Sequence, residues 1–278
     1  MTDAKQGVLV AVNTQKNVFA LFLYRLMHIR PLLRSIWLAI IILVLVLSSQ
    51  LSLYEKPILG VYITAFAFAC LVAIALASES ARKLAISAAI LPIATMINLS
   101  LPQTSLFAQL VVYYDGLLVL GLVYRFMFTL DEPVKNTRLG IKGYIFALPL
   151  MIIIGQLLGT IGFLFLKHQY AFHKTSLPLV AVATAVFAIS EEVVFQGLIQ
   201  HTASKVLHPI TAAVMTAALY TSLSFGHHGS YLTPLFALIM GIVLAATYYK
   251  KPNLILAIGV NITAKLAYIG LLAGFVFR

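Results

Sequence analysis

SIWLAIIILVLVLSSQLSLY, residues 35–54, and PILGVYITAFAFACLVAIALAS, residues 57–78, decide the fold. Neither stretch contains a charged side chain. Each is long enough to carry a helix across the hydrocarbon of a bilayer, which takes about 20 apolar residues. A membrane leaves little choice of conformation, because every backbone N–H and C=O in the hydrocarbon must be bonded within the chain. Working outward, further spans fall at 84–101, ended by Pro102 and Gln103, and at 104–124, interrupted by Asp115. Others fall at 143–166, 176–204, 209–226, 231–249 and 253–277. The expectation is an all-α, polytopic transmembrane bundle of about nine spans.

The composition agrees. The chain is 62% hydrophobic and 10% charged, against roughly 25% charged residues in an average soluble domain. Its net charge of +11 is spread over short clusters between apolar runs, the layout of membrane loops. It therefore implies no nucleic-acid partner. Membrane lipids are the expected surroundings. Cys70 has no second cysteine to pair with and reports nothing about redox compartment. Lys5, Lys16, Arg25 and Arg30 precede any long apolar run, so the start does not read as a cleavable signal peptide. With nine spans and an inner N-terminus, 14 Lys/Arg fall on inner segments and 4 on outer ones. That bias predicts a cytoplasmic N-terminus in a cell membrane, with Arg278 outside. Residues 1–34 form a cytoplasmic segment. Within it Val18, Phe19, Phe22, Leu23, Leu26 and Met27 can share one face of a helix, either lying on the membrane or partly buried in the cytoplasmic region. Residues 35–175 supply N-terminal transmembrane helices, and 176–278 a helical core.

Ionisable groups within the spans are costly and need a reason. They stand at Glu191–Glu192, His227–His228, Lys265 and Asp115. One role is structural, in which they pair and fix helix packing; Asp115 with Lys265 is one such expected pair. Two adjacent carboxylates repel and demand more than that. A carboxyl group in a dry site can serve as a general acid or base. His227 and His228 point about 100° apart on a helix, so only one can face the glutamates.

The segment Glu191-Glu192-Val-Val-Phe195-Gln196-Gly197-Leu198 resembles the first motif of the CPBP family, the CAAX-processing and bacteriocin-processing (Abi) intramembrane proteases. That motif reads EExxFRG, so Gln196 stands where the family has arginine. The second motif, phenylalanine four residues before histidine, aligns with Leu223 and His227, or with Ser224 and His228. The third, histidine four residues before asparagine or aspartate, aligns with Asn261 and Lys265. The resemblance spans about 176–272. It implies an intramembrane endopeptidase acting on membrane-associated proteins or peptides, in which Glu191, helped by His227, activates a water. Glu192 completes the pair, and Asn261, with Lys265 beside it, stabilises the oxyanion. Gln196 offers Glu192 a neutral hydrogen bond in place of the family's charge. His228 is a supporting residue. No cofactor is expected. Zinc is the alternative, with a weak ligand set beside the usual three His/Glu side chains. Two rival readings remain. The altered motif positions fit a CPBP-like protein that has lost catalysis and binds or confers immunity. The buried Glu191, Glu192, Asp115 and Lys265 also fit a transporter's ion path.

Overall fold

The computed structural model describes residues 31–55, 57–100, 106–128, 141–166, 176–224, 232–250 and 253–276. The amphipathic stretch expected in 14–30 and both His227 and His228 lie outside them. The described residues form α1 (Pro31–Glu55), α2 (Pro57–Ala77), α3 (Glu79–Ser100), α4 (Leu106–Phe128) and α5 (Ile141–Leu166). Then come α6 (Leu177–Glu192), a π-helical segment (Val193–Gln200), α7 (His201–Val206), α8 (Pro209–Tyr220) and a 3-10 turn (Thr221–Ser224), followed by α9 (Leu232–Lys250) and α10 (Leu254–Val276). The expected all-α, multi-pass bundle is borne out. α6, the π segment and α7 run on as one apolar rod over Leu177–Val206. Counting that rod once, eight helices among the described residues are long and apolar enough to cross a membrane.

The seventh expected span, 209–226, differs. Its helix runs only from Pro209 to Tyr220, 12 residues, or about 18 Å. A hydrocarbon core is about 30 Å thick, so α8 alone does not cross it. After Tyr220 the chain tightens into the 3-10 turn. α8 is thus a half-length helix beside full-length neighbours, and its C-terminal end is held at the depth of the buried carboxylates described below.

Large apolar side chains point outward all round the bundle, among them Trp37, Tyr62, Phe66, Phe126, Phe146 and Val214. Lipid tails are as apolar as these side chains, so burying them gains little. Close backbone packing and polar contacts hold the helices together instead. A methyl group added at Gly155 would lie 2.6 Å from Thr263 Cβ, and one at Gly159 would collide with the Ala264 backbone oxygen. These two glycines, four apart on α5, let α5 lie directly on α10, the helix that carries Asn261 and Lys265. At Gly241 on α9, an added Cβ would sit 2.8 Å from the Ala217 carbonyl oxygen and 3.0 Å from Tyr220 Cβ. That contact seats α8. Side-chain hydrogen bonds between helices add to this: Gln50 to Thr95 at 2.6 Å, Ser87 with Thr202 at 2.9 Å, and Tyr124 to the Lys83 carbonyl at 2.6 Å.

Candidate functional site

α6 ends in Glu191 and Glu192, whose side chains are 2% and 0% exposed. Two carboxylates at this depth must be answered by donors. α10 brings Asn261 and, one turn on, Lys265. Asn261 is itself fully buried, and its Nδ2 donates to Glu191 Oε2 at 2.9 Å and to Glu192 Oε1 at 2.8 Å. An amide nitrogen carries two protons, so one side chain ties the adjacent carboxylates together. Lys265 Nζ donates to Glu191 Oε1 at 2.6 Å and forms an ion pair with it. From α8, Tyr220 OH donates to Glu191 Oε2 at 2.5 Å.

Aromatic packing fixes these donors. Phe195, the motif phenylalanine, is fully buried and meets the Tyr220 ring edge-on, with centroids 5.2 Å apart. Tyr114 on α4 stacks on Phe187 at 4.4 Å, and the Lys265 ammonium lies 5.6 Å from the Tyr114 centroid, a cation–π distance. Lys265 is 26% exposed, so the cluster is open at this side chain and closed elsewhere. Both Glu191 oxygens are engaged. Glu192 Oε2 is buried with no protein partner, as are both amide atoms of Gln196 and the Asn261 Oδ1. Buried polar groups in proteins are nearly always satisfied by protein or by ordered water, so these atoms are the ones that call for a further partner.

Residues 173–267 match the family model described as "Type II CAAX prenyl endopeptidase Rce1-like". Over this region the chain is similar to that CPBP-type protease family. The match contains every residue of the buried cluster except Tyr114 and leaves 1–172 unmatched. The family is one of peptide hydrolases. No curated protein and no solved structure gives a match.

Of the residues singled out from the CPBP motifs, the fold brings together Glu191, Glu192, Asn261 and Lys265. His227 and His228 lie outside the described residues. Tyr220, which donates to Glu191, is the last residue of α8 before the 3-10 turn that precedes them in sequence. Two expectations are corrected. Gln196 does not bond Glu192, because the chain around it is π-helical. There the backbone bonds reach i+5, and a residue four positions on no longer stands directly over Glu192. Asp115 does not pair with Lys265. Its side chain is exposed on the bundle surface, while the adjacent Tyr114 points in to the lysine. Sequence reading missed Tyr220 and Tyr114, since a tyrosine in an apolar run carries no signal of its own.

The described donor set suits a metal poorly. Among the described residues no three His, Cys, Asp or Glu side chains cluster at metal-binding range. The Lys265 ammonium also occupies Glu191 Oε1, and a divalent cation at that oxygen would be repelled by it.

Proposed function

We propose that this chain is an intramembrane endopeptidase that hydrolyses peptide bonds of membrane-associated substrates through a glutamate-activated water. The observation that carries the reading is the convergence of Glu191, Glu192 and Asn261 in one buried cluster inside the family match. The carboxylate pair works as a unit. Glu191 is held by Lys265, Tyr220 and Asn261. Glu192 Oε2 is the carboxylate oxygen with free lone pairs, so a water entering the site donates to it first. As that water attacks the peptide carbonyl, its proton passes to the pair and then to the leaving amine. The family resemblance assigns His227 to assist Glu191 in this step. Asn261 and Lys265 donate to the carboxylates, and in this reading they stabilise the oxygen that gains charge. The setting is a cell membrane with the N-terminus cytoplasmic, supported by the Lys/Arg bias.

The test is proteolysis of membrane-inserted substrates by the full chain in liposomes. Glu191→Gln and Glu192→Gln should each lower the rate by about 100-fold or more, the usual worth of a general acid or base. Wild-type cleavage unchanged in both variants would overturn the reading. A second reading, a CPBP-like binding or immunity protein without catalysis, draws support from Lys265, whose ammonium masks one oxygen of Glu191. Under it, wild type cleaves nothing while retaining binding to a membrane partner. A transporter path is disfavoured by Asp115, which faces outward, away from the other three ionisable residues.

A further inference from the structure

Asp115 occupies a position that the site does not explain. It is the tenth residue of the 23-residue α4, roughly 14 Å from one end of the helix and 20 Å from the other. That is close to the middle of a bilayer. Its side chain is exposed. It shares an outward stripe with Val112, Val119, Leu122 and Phe126, residues spaced to fall on one face of the helix. An exposed carboxylate among lipid-facing apolar residues at this depth is expensive, and acidic residues within spans ordinarily find a partner. Asp115 is also level with the buried cluster, because its neighbour Tyr114 touches Lys265. On the helix circumference it lies on the flank nearer Tyr114, whose ring meets Lys265, than Tyr113. Beside it, a Cβ at Gly116 would meet nothing within 4 Å, so the helix surface is low there and another helix can approach closely.

We infer that the α4 face centred on Asp115 is a docking surface for a transmembrane helix of another protein that carries a lysine or arginine at mid-membrane depth. Charge complementarity selects this occupant. The described residues of a second copy offer no such cation. Among the described residues, the cations of this chain lie near helix ends, as do Arg82, Lys83, Arg125 and Lys205, or on Glu191, as does Lys265. None is offered at mid-depth on an outer face. A partner's basic residue set against Asp115 satisfies the carboxylate, and the partner's backbone packs into the shallow surface at Gly116. A helix docked here lies level with the carboxylate cluster, one residue along α4 from the Tyr114 that meets Lys265. The inference does not depend on the protease reading, since it concerns binding alone.

The experiment uses the full chain in liposomes, labelled with a fluorescence donor. The probe is a synthetic Leu/Ala transmembrane peptide carrying an acceptor and a single central lysine. Matched peptides carry leucine or glutamate at the same place. The lysine peptide should associate roughly 5- to 10-fold more tightly than the leucine peptide, within the range of polar helix contacts in membranes, and the glutamate peptide should associate most weakly. Asp115→Asn should abolish the lysine preference. Gly116→Leu, whose Cβ meets nothing within 4 Å in its own fold, should weaken binding of all three peptides. Equal affinity for lysine and leucine peptides overturns the inference, as does a lysine preference that survives Asp115→Asn. Energy transfer between two labelled copies that Asp115→Asn abolishes also overturns it, because the occupant would then be a second copy.

Discussion

Removing the Lys265 ammonium should destabilise the bundle, and removing the Glu191 charge as well should restore much of the loss. The ion pair is short, 2.6 Å, and one-sided in burial: Glu191 is 2% exposed and Lys265 26%. Deleting one partner of a buried pair costs about 3–5 kcal/mol, mostly because the remaining charge is left without compensation. Here the cost falls at or just below the bottom of that range, about 2–3 kcal/mol. Lys265 is partly solvated, and Glu191 keeps its bonds from Tyr220 and Asn261. Lys265→Met keeps the stem volume and removes only the charge. Glu191→Gln keeps the shape and can still accept from Tyr220. In the double variant neither charge remains to be left unpaired, so the two losses should not add. The expected coupling is about 2 kcal/mol, roughly a 30-fold difference in the ratio of folded to unfolded protein. Equilibrium unfolding in detergent, followed by circular dichroism for all four proteins, measures it. The coupling should persist at high salt, because a buried pair is screened little. If the two losses add to within about 0.5 kcal/mol, the pair contributes no specific interaction and the site described here is wrong at its centre.

The remaining predictions concern other residues. Asn261→Leu removes both bonds that join Glu191 to Glu192; it should cost about 3 kcal/mol or more in the same unfolding measurement and abolish any cleavage. Gln196→Leu replaces a fully buried amide with no partner on either atom, so stability should be unchanged or about 1 kcal/mol higher, and a clear loss would mean that ordered water holds the amide. Gly159→Leu drives a side chain into the backbone of α10 at Ala264 and should prevent assembly of the bundle, read as loss of folded protein on size-exclusion chromatography in detergent. Reporter fusions after Lys142 and after Arg278 test orientation; the nine-crossing arrangement puts them on opposite sides of the membrane, and α8, which is too short to cross alone, makes this the informative pair.

What could be read from the sequence follows from what a bilayer demands. Residues 35–54 and 57–78 had to be helical because no other conformation satisfies their backbone in hydrocarbon, and α1 and α2 stand there. Glu191, Glu192 and Lys265 were conspicuous because a charge at depth needs a reason, and all three meet in the fold. Partner choice was not legible. Asp115 and Lys265 have opposite charge and comparable depth, yet the lysine goes to Glu191. The direction in which α4 presents its two faces decides that, and apolar residues on both faces of a membrane helix leave no amphipathic pattern to show it. Gly155 and Gly159 are four apart, a spacing common in membrane helices. Which helix would fill the groove they make depended on α10 having the small residues Thr263, Ala264 and Ala267 at the matching heights.

The π segment shows how a local change of period alters a site. With 3.6 residues per turn, position 196 stands over position 192, and the natural reading is a contact between Gln196 and Glu192. Val193–Gln200 is π-helical instead, and π segments are frequent at functional sites. The longer bond reach rotates Gln196 off Glu192, leaving Glu192 Oε2 and the Gln196 amide all without a protein partner. The same stretch sets the fully buried Phe195 against Tyr220, and Tyr220 reaches Glu191 from α8. It also turns Gln200 toward α9, where Nε2 donates to the Ala245 carbonyl at 3.0 Å. A regular α-helix through these residues would shift each of these three directions. The short α8 fits the same arrangement, since it ends where Tyr220 meets Glu191. The open oxygen of Glu192 is therefore a product of backbone period, and a deletion of one residue within 193–200 that restores α-helical register should close it. Such a deletion should reduce cleavage or binding at the site more than it reduces folded yield. Equal reductions in both would mean that the π segment serves packing alone.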